Sequence, residues 1–228
     1  MKNRILVWDI PTRVFHWSLA LSFAGAWLTA ESERYRDVHV MLGYTLLGLI
    51  AFRLVWGLVG TRYARFAQFV RSPSAAIRYV KSLFTKQPEH HVGHNPAGAI
   101  AILLLLGLGI ATGVSGWMAY NELGGEWLED AHELLAGLML AAVGVHVLGV
   151  IAGSLAHREN LARAMVTGYK AGEPGEGIRK KRWIPALMLL TLLAGFWGFW
   201  FNANTDPGVA GTSVALQGGA DKRHDADD

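Results

Sequence analysis

Residues 131–150 read AHELLAGLMLAAVGVHVLGV. The stretch is almost wholly apolar, yet it carries two imidazoles, His132 and His146. As a helix, such a fourteen-residue separation rises about 21 Å and completes nearly four full turns. The two histidines therefore share one face and lie at two depths. An ionisable side chain in so apolar a segment is costly and marks a functional position.

The stretch belongs to the fourth of five apolar runs: Val14–Ala30, Val38–Val59, Ala97–Tyr120, Ala131–Ala156 and Trp183–Phe201. Each has about the twenty residues a helix needs to cross a ~30 Å hydrocarbon layer. Trp8, Trp17, Trp56, Trp117, Tyr120, Trp127, Trp183, Trp197 and Trp200 gather near the ends of the runs, the pattern of an interfacial belt. Of the 228 residues 52% are hydrophobic and only 17% charged. Mean hydropathy is +0.26, which suits a chain whose solvent is lipid. A signal peptide is the other reading of the first run, since MKNR precedes it. Asp9 and His16 interrupt that pattern and no small-residue cleavage site follows, so a retained helix is expected. The chain has no cysteine. Disulfides, thiolate metal sites, iron–sulfur clusters and covalently attached c-type haem are excluded.

Lys2, Arg4 and Arg13 precede the first run, and further Lys and Arg fill residues 61–95 and 157–182. The other two connections hold Arg34 and Arg36 and are otherwise acidic, as in Glu122–Asp130. The positive-inside rule then places the N-terminus in the cytoplasm and the C-terminus outside. The sequence divides into a four-helix domain over 1–170, a basic linker over 171–182, a fifth membrane helix over 183–202 and a disordered tail over 203–228. The expected fold class is an all-α integral membrane protein: a four-helix transmembrane cofactor bundle plus a fifth, C-terminal transmembrane helix.

Depth sorts the histidines. His132 and His39 lie at the outer ends of the fourth and second runs. His16 lies fourteen residues inward of Ala30, and His146 fifteen inward of Ala131. Two pairs result, His39 with His132 near the outer surface and His16 with His146 deeper. Taken singly, each is also explained as a hydrogen-bond donor between helices. Four that match in depth two by two are better explained as ligands. A bare metal wants three or four ligands, usually with carboxylates or thiolates. Two imidazoles on an apolar wall instead supply the two axial nitrogens of a haem iron, leaving no open coordination position. Arg53, inside the second run, needs a counter-charge. A haem propionate would supply one. Arg13 either does the same or reaches for the cytoplasmic surface. Gly43, Gly48, Gly137 and Gly144 either let a flat macrocycle approach or serve helix packing.

RVFHW at Arg13–Trp17, a His opening the second run and FRLVWGLVGTRYARF at Phe52–Phe66 form an ordered set with GHNPAGA at Gly93–Ala99 and the two-His fourth run. This set resembles the bacterial cytochrome b-561 family, which includes the b-type cytochrome subunits of nickel–iron hydrogenases. The resemblance covers roughly residues 5–170. It implies a four-helix bundle with two non-covalent b haems, one held by His16 and His146, the other by His39 and His132. The function expected is electron transfer between a membrane quinone pool and a periplasmic redox protein such as a c-type cytochrome, possible catalysis being that of a quinol/quinone oxidoreductase subunit. A cytochrome subunit anchoring a hydrogenase is one alternative; a proton- or cation-coupled transporter is another. For quinone proton chemistry His157, His94 or Glu159 are available inside and Glu31 or Asp130 outside.

Overall fold

The computed structural model describes residues 3–70, 72–85 and 87–205. Among the described residues eight α-helices, one short 3-10 helix (Glu33–Tyr35) and two short strands follow one another. Strand β1 is Asn3–Leu6, and then come helices α1 (Ile10–Thr29), α2 (Arg36–Val59), α3 (Phe66–Phe69) and α4 (Pro73–Ser82). Helices α5 (Pro96–Tyr120), α6 (Trp127–His157) and α7 (Leu161–Thr167), strand β2 (Tyr169–Gly172) and helix α8 (Trp183–Thr205) complete the chain. Four spans, Glu33–Val59, Pro96–Tyr120, Trp127–His157 and Trp183–Asn204, are long and apolar enough to cross a membrane. Apart from the two short strands the fold is all-α. Helix α1 has 20 residues but is not among those spans. It begins before its apolar run and takes Pro11, Arg13 and His16 into its first two turns. The tail expected to be disordered lies outside the described residues except for 203–205, which continue α8.

The chain divides after Leu187 into two compact units, and the four-helix arrangement belongs to the first. There α1 packs on α2, α2 on α5, and α5 on α6. Helices α1 and α6 are not packed closely, and their histidine side chains meet across the interval. On α6 the residues that are not exposed form a stripe through His132, Leu135, Ala136, Met139, Ala142, Val143 and His146. The steps of three and four residues are those of a single helix face. The remainder of α6 is apolar and open, as at Val145, 68% exposed, and suits lipid contact. Gly48, Gly137 and Gly144 lie on exposed positions off that face, so they do not line the histidine pairs. Gly43 is half-buried and one turn from His39.

At the basic end of the bundle a cap closes over the helix ends. Strands β1 and β2 pair antiparallel, Leu6 opposite Tyr169 and Asn3 opposite Gly172. The chain then doubles back so that Val7 and Trp8 both donate to the Gly168 carbonyl. Gly168 has φ +88°, and a Cβ there would meet the Trp8 carbonyl at 2.7 Å, so only glycine fits. Ile5, Val7, Trp8 and Ala164 form the cap's apolar centre, with Tyr63, Val92 and Met165 against it.

Asp9 ties this cap to the helices. It is 1% exposed and caps α1 by accepting from the Thr12 amide at 2.8 Å. Its other oxygen accepts from Thr61 Oγ1 at 2.5 Å and from Trp56 Nε1 at 3.2 Å. One carboxylate thus joins the start of α1 to the end of α2. Asp9→Ala is expected to lower stability by about 3–7 kcal/mol, the sum of a lost cap and two buried donors left unpaired. Thermal unfolding in detergent measures the loss, with Trp56 emission shifting to the red; Asp9→Asn loses less.

Candidate functional site

Both expected histidine pairs are brought together. The rings of His39 and His132 stand 6.1 Å apart, centre to centre. Those of His16 and His146 stand 6.5 Å apart. The first pair joins α2 to α6 at the acidic end. The second joins α1 to α6 four turns further along. A metal between two imidazoles, bound at about 2.0–2.1 Å with each nitrogen about 1 Å from its ring centre, sets the centres roughly 6 Å apart. Both pairs meet that separation.

Edge-to-face ring packing covers the same range, so the hydrogen bonds matter. His39 Nδ1 lies 2.8 Å from the Ala26 carbonyl. His132 Nδ1 lies 2.9 Å from the Thr112 carbonyl, with Ser115 Oγ beside it at 3.3 Å. A carbonyl only accepts, so both Nδ1 atoms carry the proton and donate. Nε2 is left with its lone pair, the tautomer a metal requires. His16 differs: its Nδ1 is buried without a hydrogen-bond partner. Among the described residues no group of three His, Asp or Glu side chains converges on a bare metal. Two-coordinate nitrogen sites flanked by apolar side chains are what a haem iron needs, and these residues fit that group.

The family model for prokaryotic cytochrome b561 matches residues 7–168. The chain belongs to the prokaryotic cytochrome b561 family. The matched stretch contains all four histidines and ends before α8. Family membership makes this a membrane b-type cytochrome, an electron-transport protein of haem b. A protein of Azotobacter vinelandii is 26% identical over 215 residues, covering 74% of this chain and 89% of its own length. One of Rhizobium leguminosarum bv. viciae is 22% identical over 216 residues, covering 74% and 90%. A third, of Rhodobacter capsulatus, is 21% identical over 217 residues, covering 74% and 82%. Each of the three is described as a probable Ni/Fe-hydrogenase B-type cytochrome subunit. No solved structure matches significantly.

The two arginines are placed differently. Arg53 is 3% exposed, its guanidinium 4.7 Å from the Phe66 ring centre and 5.9 Å from that of Phe69. Its Nη1 has no hydrogen-bond partner. It lies on the His39 face of α2 and fourteen residues on, the spacing that separates His132 from His146. A buried cation with an unpaired donor is the position an anionic group of a cofactor would fill. Arg13, half-buried, donates from Nη1 to the Val166 carbonyl at 2.6 Å, at the C-terminal end of α7 where a cation is favoured.

Around these lie the acid–base groups read from the sequence. His94 stands between the Trp8 and Phe69 rings, 4.5 and 4.4 Å away, and its Nδ1 has no hydrogen-bond partner. Burial, helped by the Arg53 and Lys170 cations, lowers its pKa to about 3. It borders a cleft of about 250 Å³ lined also by Tyr63, His90 and His91. His157 Nε2 is 3.2 Å from the Tyr79 hydroxyl. Glu159 accepts from the Ala171 amide at 2.8 Å and faces Lys170 at 3.8 Å. Burial lowers the Lys170 pKa, with Glu159 opposing. Glu31 and Asp130 lie exposed at the opposite end.

Sequence reasoning missed the cap and the Asp9 hub. Its one signal was an Asp two residues before the Pro of a helix start. The carbonyl acceptors of His39 and His132 carry no sequence signal, because every residue has one. The His94 shift has a consequence. The folded state refuses a proton that the unfolded chain takes below its ordinary 6.5. Its stabilisation is therefore whole above pH 6.5 and lost progressively towards pH 3. Thermal unfolding in detergent across that range should show the loss in the native chain and a flatter profile in His94→Phe, which keeps the ring packing.

Proposed function

We propose that this cytochrome is a two-haem electron conduit of the bacterial inner membrane, its N-terminus cytoplasmic and its C-terminus periplasmic. His16 with His146 would hold one haem, and His39 with His132 the other. The observation that carries the reading is the two imidazole pairs, each with ring centres about 6 Å apart, set four turns apart on one helix. Haem b, when bound, supplies a one-electron couple with both axial positions filled.

The chain's own residues do the rest. The Ala26 and Thr112 carbonyls fix the ring orientation and tautomer of His39 and His132. Arg53 offers its free donor to a propionate at the deeper site, and Arg13, one turn before His16, stands beside the same end. The uninterrupted helices keep the sites dry and at fixed separation. A transporter would instead need helices broken at midplane, and α1, α2, α5 and α6 run through it whole.

Electrons pass between the quinone pool and a periplasmic redox protein, with a c-type cytochrome as one candidate and the acidic outer connection as its dock. The relatives' descriptions favour a hydrogenase in that place. The residues that exchange protons with quinone at the basic end are drawn from His94, His157 and Glu159.

A reduced-minus-oxidised spectrum of the purified, haem-replete protein with haem quantification is the test. Two b-type haems per chain are expected. His16→Ala and His146→Ala lose one spectral component, and His39→Ala and His132→Ala the other. Absence of any b-type signal ends the reading. Loss of matching components by His16→Ala and His132→Ala would overturn the pairing.

A further inference from the structure

The two histidine pairs are not equivalent. At the outer pair both imidazoles donate their Nδ1 proton to backbone carbonyls, at 2.8 and 2.9 Å. At the inner pair His16 Nδ1 is buried with no acceptor. His146 makes no hydrogen bond among the described residues and meets the His16 ring. A carbonyl that accepts the second ring proton raises the basicity of the ligating nitrogen. A more basic ligand stabilises the more positively charged state of the metal, so the outer site is harder to reduce.

Fixed charge acts in the same direction. Arg53 is 3% exposed, so solvent screens it little. It is level with His146, because the step from His39 to Arg53 equals that from His132 to His146 and α2 runs parallel to α6. His94 feels both Arg53 and His146, which places the three in one neighbourhood. Asp9 also reaches Arg53; its hydrogen bonds to the neutral donors of Thr12, Trp56 and Thr61 leave its negative charge in place, so it offsets part of the field of Arg53. A buried positive charge favours the state with one more electron. The outer pair has exposed charges of both signs instead, Asp37 and Glu133 beside its histidines and Arg34 and Arg36 before His39. Solvent screens these mixed charges, so they move the outer site little.

Resting on the two-haem reading above, we infer that the inner site is the high-potential site and the outer the low-potential one, with Arg53 a tuning residue of the inner site. Backbone acceptors and charge, supplied by different parts of the chain, order the sites alike. An electron on this chain therefore resides at the inner pair.

Spectroelectrochemical titration of the haem-replete protein in detergent tests this at low salt. Two one-electron components are expected. Arg53→Gln should lower the higher component by at least about tenfold in its reduction equilibrium, or 59 mV for one electron, and the lower one by less. Arg53→Lys should recover most of that shift, which a merely structural role would not. Glu133→Lys should raise the lower component and leave the higher in place. A single potential in the native chain overturns the inference. So does a shift of the lower component alone on Arg53→Gln, or no shift. If Arg53→Gln fails to keep its haem, Glu133→Lys decides, since raising the higher component reverses the order. Absence of any haem signal is a different failure, that of the two-haem reading itself.

Discussion

Imidazole in a hydrocarbon-facing helix is costly unless its nitrogens are occupied, and that constraint organises this molecule. The occupation is split in two at the outer pair: one nitrogen goes to a backbone carbonyl, the other is turned towards the facing ring. Helix geometry then fixes the rest. Four turns of α6 between His132 and His146 set the separation of the two sites, whatever the surrounding packing does. The helices on the other side, α1 and α2, are held at the matching levels by their own termini. Asp9 pins the start of α1 to the end of α2, and the Ala26 carbonyl pins the other end of α1 to His39. With both ends fixed, His16 has one level at which to stand.

What the sequence made legible was what depends on periodicity and depth. The pairing of four histidines needed only the rise per residue and the ends of the apolar runs, and the rings stand in those pairs. The buried position of Arg53 followed from its place inside an apolar run. Residues whose role depends on distant partners were not legible. Asp9 reads as a helix cap, yet its hydrogen bonds to Trp56 and Thr61 cross about fifty residues. The strand Asn3–Leu6 is too short to announce itself without Tyr169–Gly172. The glycines left two readings open for a physical reason: composition says that a small residue is present but not which way its face points. Gly137 and Gly144 fall on the side of α6 away from the histidines.

The contrast between the ends of the bundle extends beyond topology. The basic end is elaborated, with a two-stranded sheet, three short helices and a polar cleft bordered by His94. The acidic end consists of short turns with exposed carboxylates. Family membership accounts for the four-helix core over residues 7–168. Helix α8 lies beyond it, and the linker that leads there is tied down by the Ile10 amide, which donates to the Lys181 carbonyl.

The cap also bears on how the protein is made. Strand β1 precedes all four core helices in the chain, but its partner β2 follows α6 and α7. Until α6 has been threaded into the membrane with its ends on the correct sides, Leu6 has nothing to pair with and Gly168 is not there to receive Val7 and Trp8. Closure of the small sheet therefore registers that all four core helices have been inserted in the right sense.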